Sequence, residues 1–135
     1  MKPKPLSRDF LLKRGFCCHN GCKNCPYMTF KDYQEEAVKT AVYGSGSLII
    51  YPALGLGNEA GEVQGKVKKV LRDNDGNFTP ELCQKIGDEI GDVLWYMAAL
   101  CRDLGLNLED IANNNITKLR DRQARNVIQG SGDNR

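Results

Sequence analysis

The chain has 135 residues and a formal net charge of +2, with one Trp, four Phe and five Tyr. That length holds one compact domain plus a small appendage, and it excludes a barrel of about 250 residues or a full dinucleotide-binding fold. So few large apolar fillers make a thin core, so self-association is expected, and near-neutral charge leaves no nucleic-acid footprint in the total.

The charge is unevenly spread. Residues 1–27 carry six Lys/Arg (Lys2, Lys4, Arg8, Lys13, Arg14, Lys23) against Asp9, a net of +5. Residues 28–135 carry thirteen basic and sixteen acidic residues, a net of −3. Phe10-Leu11-Leu12 is too short for the apolar core of a signal peptide, and no small-residue cleavage site follows it. No stretch approaches the roughly 18 apolar residues of a membrane span. The expectation is a soluble cytoplasmic protein, where clustered cysteines more often serve metal or redox chemistry than disulfides.

The basic head, residues 1–27, contains Cys17-Cys18-His19-x-x-Cys22-x-x-Cys25. Its five soft ligands suffice for a four-coordinate zinc or an iron–sulfur cluster. The plainer alternative is a structural clip that anchors the N-terminus. Cys18-x3-Cys22-x2-Cys25 also has the spacing of radical-SAM enzymes, but this chain has no sequence for the large barrel they need. Cys83 and Cys101 lie elsewhere and are expected to be small buried residues.

The remainder, residues 28–135, reads as one all-α domain. Thr29 with Asp32 forms a capping-box pattern, and Phe30, Tyr33, Ala37 and Ala41 continue at helical spacing to Gly44-Ser45-Gly46-Ser47. After Pro52 a second helix runs to about Arg72, closed by Asp73-Asn74-Asp75-Gly76-Asn77. Thr79-Pro80-Glu81 starts a third, which reaches Leu104 with Gly105 as its stop. Asn107 and Asp110 cap a fourth that ends near Ala124. Alternating strand patterns are absent, and four helices joined by short loops predict a four-helix bundle. Leu54, Leu56, Val63, Val67, Ile86, Ile90, Val93 and Leu94 are its expected core.

The second and third helices carry Glu59-Ala60-Gly61-Glu62 and Glu89-Ile90-Gly91-Asp92. Residues three apart on a helix share a face, so each acidic pair points one way. A glycine costs about 1 kcal/mol inside a helix relative to Ala, and its use at Gly61 and Gly91 predicts close approach of another backbone. Antiparallel packing would bring four carboxylates into one pocket, stable only with cations present or some acids protonated. Oxygen ligands without histidine favour Mg²⁺, then Mn²⁺, over zinc. A solvated acidic face is the simpler reading of one such pair; two, each flanked by apolar residues, outweigh it. A di-iron bundle would need Glu-x-x-His pairs, and His19 is the sole histidine.

These motifs resemble the MazG-like all-α nucleoside triphosphate pyrophosphohydrolases, especially the short kind of phages and bacteria. The resemblance covers about residues 29–135. It rests on Tyr33-Gln34 with Thr40, on Leu54 to Val63, on Asp88 to Tyr96, and on Asn115-Ile116-Thr117-Lys118 with Arg122. It implies Mg²⁺-dependent cleavage of a (deoxy)nucleoside triphosphate to monophosphate and pyrophosphate by metal-activated water, in a homodimer or homotetramer. Glu59, Glu62, Glu89 and Asp92 would be the metal ligands, and Glu62 would also orient the water. Lys66 and Lys69 are candidates for phosphate, with a solvated basic face as the alternative. Asn115, Lys118 and Arg122 form one helical stripe for phosphate or sugar. Trp95 and Tyr96 are candidates to flank the base, a core Trp being the plainer reading.

The polar ending Gly130-Ser131-Gly132-Asp133-Asn134-Arg135 also resembles that of the family and is expected to fold over the nucleotide. The head resembles a short bacterial module ending Cys-x-x-Cys-Pro-Tyr. Neither membrane nor nucleic acid is an expected partner of the enzyme. A different class of function would be a metal-stapled binding module on a helical dimer, recognising nucleic acid or protein through the +5 head.

Overall fold

The computed structural model describes residues 5–18, 22 and 24–132. Among them are helices α1 (Arg8–Arg14), α2 (Phe30–Ala37), α3 (Ile50–Asp73), α4 (Pro80–Asp103) and α5 (Leu108–Ala124), with 3₁₀ turns at Val38–Thr40 and Ser45–Ser47 and no strand. The all-α expectation is borne out. The chain divides into two compact units: Tyr33–Gly105, and the residues up to Asp32 together with those from Leu106.

The unit Tyr33–Gly105 is built on α3 and α4. Pairs that approach across them run in opposite order, Gly55 with Tyr96 and Lys66 with Glu89, so the helices are antiparallel. Their boundaries follow local chemistry. Thr79 Oγ1 accepts from the Leu82 N–H at 3.4 Å, and Pro80 occupies the first position of α4, where a missing N–H costs nothing. The α3–α4 connection turns at Gly76, whose φ of +74° suits glycine. α3 begins at Ile50, before Pro52, because a proline in the first turn removes no intrahelical bond.

α2 is shorter than its sequence pattern suggests. Regular helix ends at Ala37, where Trp95 Nε1 donates to Ala37 O at 3.2 Å and to Thr40 Oγ1 at 2.8 Å. The following loop is clasped to the end of α4 by Asp103. Its carboxylate accepts from Tyr43 OH at 2.8 Å, Ile49 N at 3.1 Å and Arg102 Nε at 2.8 Å.

The buried apolar residues of this unit include Val70, Ala98, Ala99 and Cys101. Two expected core residues are corrected: Leu54 is 71% exposed and Ile90 54%. Helical periodicity identifies an apolar face without saying what covers it. Cys101 is buried as expected, whereas Cys83, one turn into α4, is exposed.

The other unit contains α1, which periodicity could not reveal because it is only seven residues long. Ser7 caps it, accepting from Phe10 N at 3.2 Å, and Gly15 ends it at φ +81°. Tyr27 OH donates to Leu12 O at 3.2 Å and Asn24 Nδ2 to Leu6 O at 3.2 Å. The Thr29–Asp32 capping box forms as read, with reciprocal bonds of 3.0 Å. Glu109 accepts from Lys31 N at 3.0 Å, and Leu11 and Leu108 are buried.

Candidate functional site

Glu59 projects from α3, and Glu89 and Asp92 from α4. One carboxylate oxygen of each lies within 4.8 Å of the others. Antiparallel packing sets this meeting, and the three-residue spacing puts Glu89 and Asp92 on one face. Three negative groups so close repel, and Lys66 answers part of the charge: its Nζ is 3.1 Å from Glu89 Oε1, with side chains 34% and 18% exposed. A lysine ammonium therefore sits where the acids call for positive charge. Asn58 Nδ2 donates to Glu59 Oε1 at 3.3 Å. Glu62, three residues beyond Glu59, is exposed and stands outside this group of three.

Two phenols feel the same charge. Burial, then the Asp92 carboxylate, pushes the Tyr33 hydroxyl above its ordinary pKa. Tyr96 is pushed up to about 12, first by its hydrogen bond with Tyr51, then by burial, with Glu59 and Asp92 adding to it. Tyr96 belongs to an aromatic wall, its ring 4.9 Å from Trp95 and 6.1 Å from Tyr51. The Trp95 N–H is already committed to Thr40 and Ala37.

The glycine expectation is corrected. A Cβ at Gly61 or Gly91 would meet nothing within 4 Å, so no backbone approaches there. Close approach occurs on α3 six residues before Gly61, where a Cβ at Gly55 would overlap the Tyr96 ring. The glycine that matters packs against an aromatic ring from α4.

Next to the acids, α3 and α4 form a cleft of about 200 Å³ lined by Lys66, Lys69, Lys85, Val70, Leu82 and Ile86. Lys85 was missed in the sequence, although it stands four residues before Glu89 and so shares its face. A cleft with three ammonium groups over an apolar floor suits a polyanion. Lys66 serves both the cleft and the acids.

Asn115, Lys118 and Arg122 lie on α5, in the other unit; the first two are exposed and Arg122 is 7% exposed. Gln129 to Gly132 are exposed, and Asp133 to Arg135 of the expected nucleotide-covering tail lie outside the described residues. In the head, Cys18 Sγ is 3.3 Å from Cys22 Sγ and Cys17 Sγ 3.7 Å from Cys25 Sγ. His19, the fifth expected ligand there, lies outside the described residues.

The profile of the MazG nucleotide pyrophosphohydrolase domain matches residues 53–127, from the first turn of α3 past the end of α5. The chain belongs to the MazG family. This MazG domain contains all four expected acids. A separate profile, a family of unknown function (DUF5522), matches residues 6–32, which include the four head cysteines. The gene 37 protein of Mycobacterium phage L5 is 46% identical over 109 residues, covering 76% of this chain and 96% of the phage protein. No solved structure matches the chain. Among the described residues no helix is long and apolar enough to cross a membrane.

Proposed function

We propose that the protein hydrolyses (deoxy)nucleoside triphosphates to monophosphate and pyrophosphate with Mg²⁺, Mn²⁺ being the next candidate. The observation that carries this reading is the meeting of Glu59, Glu89 and Asp92 beside the lysine cleft. The donor set fits a hard divalent cation: clustered carboxylate oxygens, no nitrogen or sulfur, and a lysine ammonium already drawn to Glu89. Glu59, Glu89 and Asp92 would hold it, and Glu62, exposed on the same helix as Glu59, is the fourth candidate ligand. Such an ion supplies neutralisation of phosphate charge and acidification of water.

The chain's own groups do the rest. Lys66, Lys69 and Lys85 receive the β- and γ-phosphates, and the shared position of Lys66 sets the α-phosphate toward the acids. Glu62 takes the proton of the attacking water as its oxygen bonds to the α-phosphorus. The bond from that phosphorus to the bridging oxygen breaks, and pyrophosphate leaves with the electron pair, its charge met by the lysines. Tyr96, with Trp95 behind it, flanks the base. Asn115, Lys118 and Arg122 of α5 stay the candidates for phosphate or sugar contacts, and residues 129–135 the candidates to cover the nucleotide. The head, residues 1–27, is an appendage to this catalytic part, residues 28–135. The working form is a homodimer or homotetramer in which a partner covers Leu54 and Ile90.

The test incubates the purified chain and Mg²⁺ with each common ribo- and deoxyribonucleoside triphosphate and resolves the products by chromatography. Monophosphate plus pyrophosphate is expected, with kcat lowered about 100-fold or more in Glu62→Gln and Glu89→Gln. Release of inorganic phosphate and diphosphate instead, or no turnover by folded protein, would overturn the reading.

A further inference from the structure

The head cysteines have no part in the proposed hydrolysis, and their sulfurs stand as two pairs rather than one group of four. Cys18 Sγ is 3.3 Å from Cys22 Sγ and Cys17 Sγ 3.7 Å from Cys25 Sγ. Among the described residues, no three of these sulfurs lie within 4.8 Å of one another. One tetrahedral zinc, with bonds of about 2.3 Å, would need all four about 3.8 Å apart. The spacing Cys22-x-x-Cys25 invites those two to pair. Instead the Cys25 N–H closes a turn on Cys22 O at 3.1 Å, and each sulfur meets a partner earlier in the chain. We propose that Cys18 and Cys22 are a redox-active dithiol that reduces a small anionic disulfide, Cys18 attacking and Cys22 resolving.

Arg14 sets this pair apart. Its guanidinium is held at the end of α1, Nε donating to Phe16 O at 3.0 Å and the group lying 5.3 Å from the Phe16 ring centre. From there it hydrogen-bonds both Cys18 and Cys22. Burial works against its charge, yet Cys18 and then Cys22 outweigh burial and strengthen it. The Cys22 thiol is pushed up, first by its hydrogen bond with Cys18, then by burial and by the charge of Cys18, with Arg14 acting the other way. The proton therefore stays on Cys22, which donates to Cys18, and Cys18 carries the thiolate beside the guanidinium. Both side chains are partly exposed, within reach of a small molecule. The head carries +5, with Lys13 and Arg14 in the last turn of α1, and so attracts an anion.

The Cys18 thiolate, its proton already given to water, attacks one sulfur of R–S–S–R. A Cys18–S–S–R bond forms and R–S⁻ leaves, taking the Cys22 proton. The Cys22 sulfur then attacks Cys18 Sγ, closing the Cys18–Cys22 disulfide and expelling a second R–S⁻, which takes a proton from water. Two cysteines lose two electrons, and one disulfide becomes two thiols.

The full-length chain, reduced and freed of reductant, is mixed with oxidised glutathione, quenched with acid, alkylated, digested with trypsin and read by mass spectrometry. Cleavage after Arg14 and Lys23 leaves Cys17, Cys18 and Cys22 in residues 15–23 and Cys25 in residues 24–31. The first product should be a Cys18–Cys22 bond inside residues 15–23, located by fragmentation. Cys22→Ser should trap glutathione on Cys18, and Cys18→Ser should react about 10-fold more slowly. Raised salt should slow the wild type, and Cys83→Ser should match it. Arg14→Gln should slow exchange about 3- to 10-fold and Arg14→Lys recover most of the rate, with circular dichroism checking that the helices persist. The proposal is overturned if the folded chain does not react, if the first bond joins residues 15–23 to 24–31, or if Cys22→Ser carries glutathione elsewhere than Cys18. Zinc or iron held by these thiols in freshly isolated protein overturns it as well, and a rate indifferent to salt overturns the anionic substrate.

Discussion

Asp103 shows how much one side chain can decide. Its side chain is 1% exposed and binds the Tyr43 hydroxyl, the Ile49 N–H and the Arg102 guanidinium. Burial alone would raise its pKa, but the Ile49 N–H, Arg102 and Tyr43 outweigh burial and hold it below the ordinary value. A carboxylate with a depressed folded pKa stabilises the protein above the unfolded value of about 3.9, and that stabilisation is lost as pH falls through the folded value. Asp103→Asn should destabilise by about 3 kcal/mol at neutral pH, because Arg102 loses its buried partner. Urea unfolding followed from pH 7 to pH 3 should show the wild type losing more stability than the variant. Nothing in the sequence separates Asp103 from a surface acid at a helix end. The tertiary partners Tyr43 and Ile49 are more than fifty residues away. Glu59, Glu89 and Asp92 were legible because paired acids three apart repeat in two helices; Lys85 became visible only when its cleft formed.

At the scale of elements, the α3–α4 hairpin carries both halves of the candidate chemistry. α4 was readable nearly to the residue, since Thr79-Pro80-Glu81 supplies a cap, a pre-set φ and an early acid together. α2 was not, because its end is set by Trp95 from another helix rather than by a local breaker. Within the hairpin, Lys69 and Lys85 line the cleft without touching the acids in any bond described, so their loss should affect binding more than chemistry. Lys69→Ala and Lys85→Ala are each expected to raise KM for the triphosphate about 2- to 5-fold with kcat nearly unchanged, the loss shrinking at high salt. A kinetic series at two ionic strengths checks this; a fall in kcat at constant KM would place these lysines elsewhere in the reaction.

For the whole molecule, the exposed apolar residues matter as much as the buried ones. Ile50 and Leu54 on α3 and Ile90 on α4 leave large side chains in water, beside a buried core made mostly of small residues. A second copy of the chain would bury them, and light scattering should report a dimer or tetramer. Leu54→Asp should shift it toward monomer and lower the unfolding temperature through lost mass action.

Sequence alone determined the helical class, the two acidic pairs, the cysteine cluster and the contrast between a +5 head and a −3 remainder. Each of these is written in spacing, and spacing along a helix converts directly into direction. Tertiary structure decided which acids meet, that Lys66 joins them, that Gly55 rather than Gly61 or Gly91 is the close contact, and that Arg14 faces the thiols. Those outcomes depend on how far apart two helices pack and at what height they cross. No local pattern of residue types contains that information.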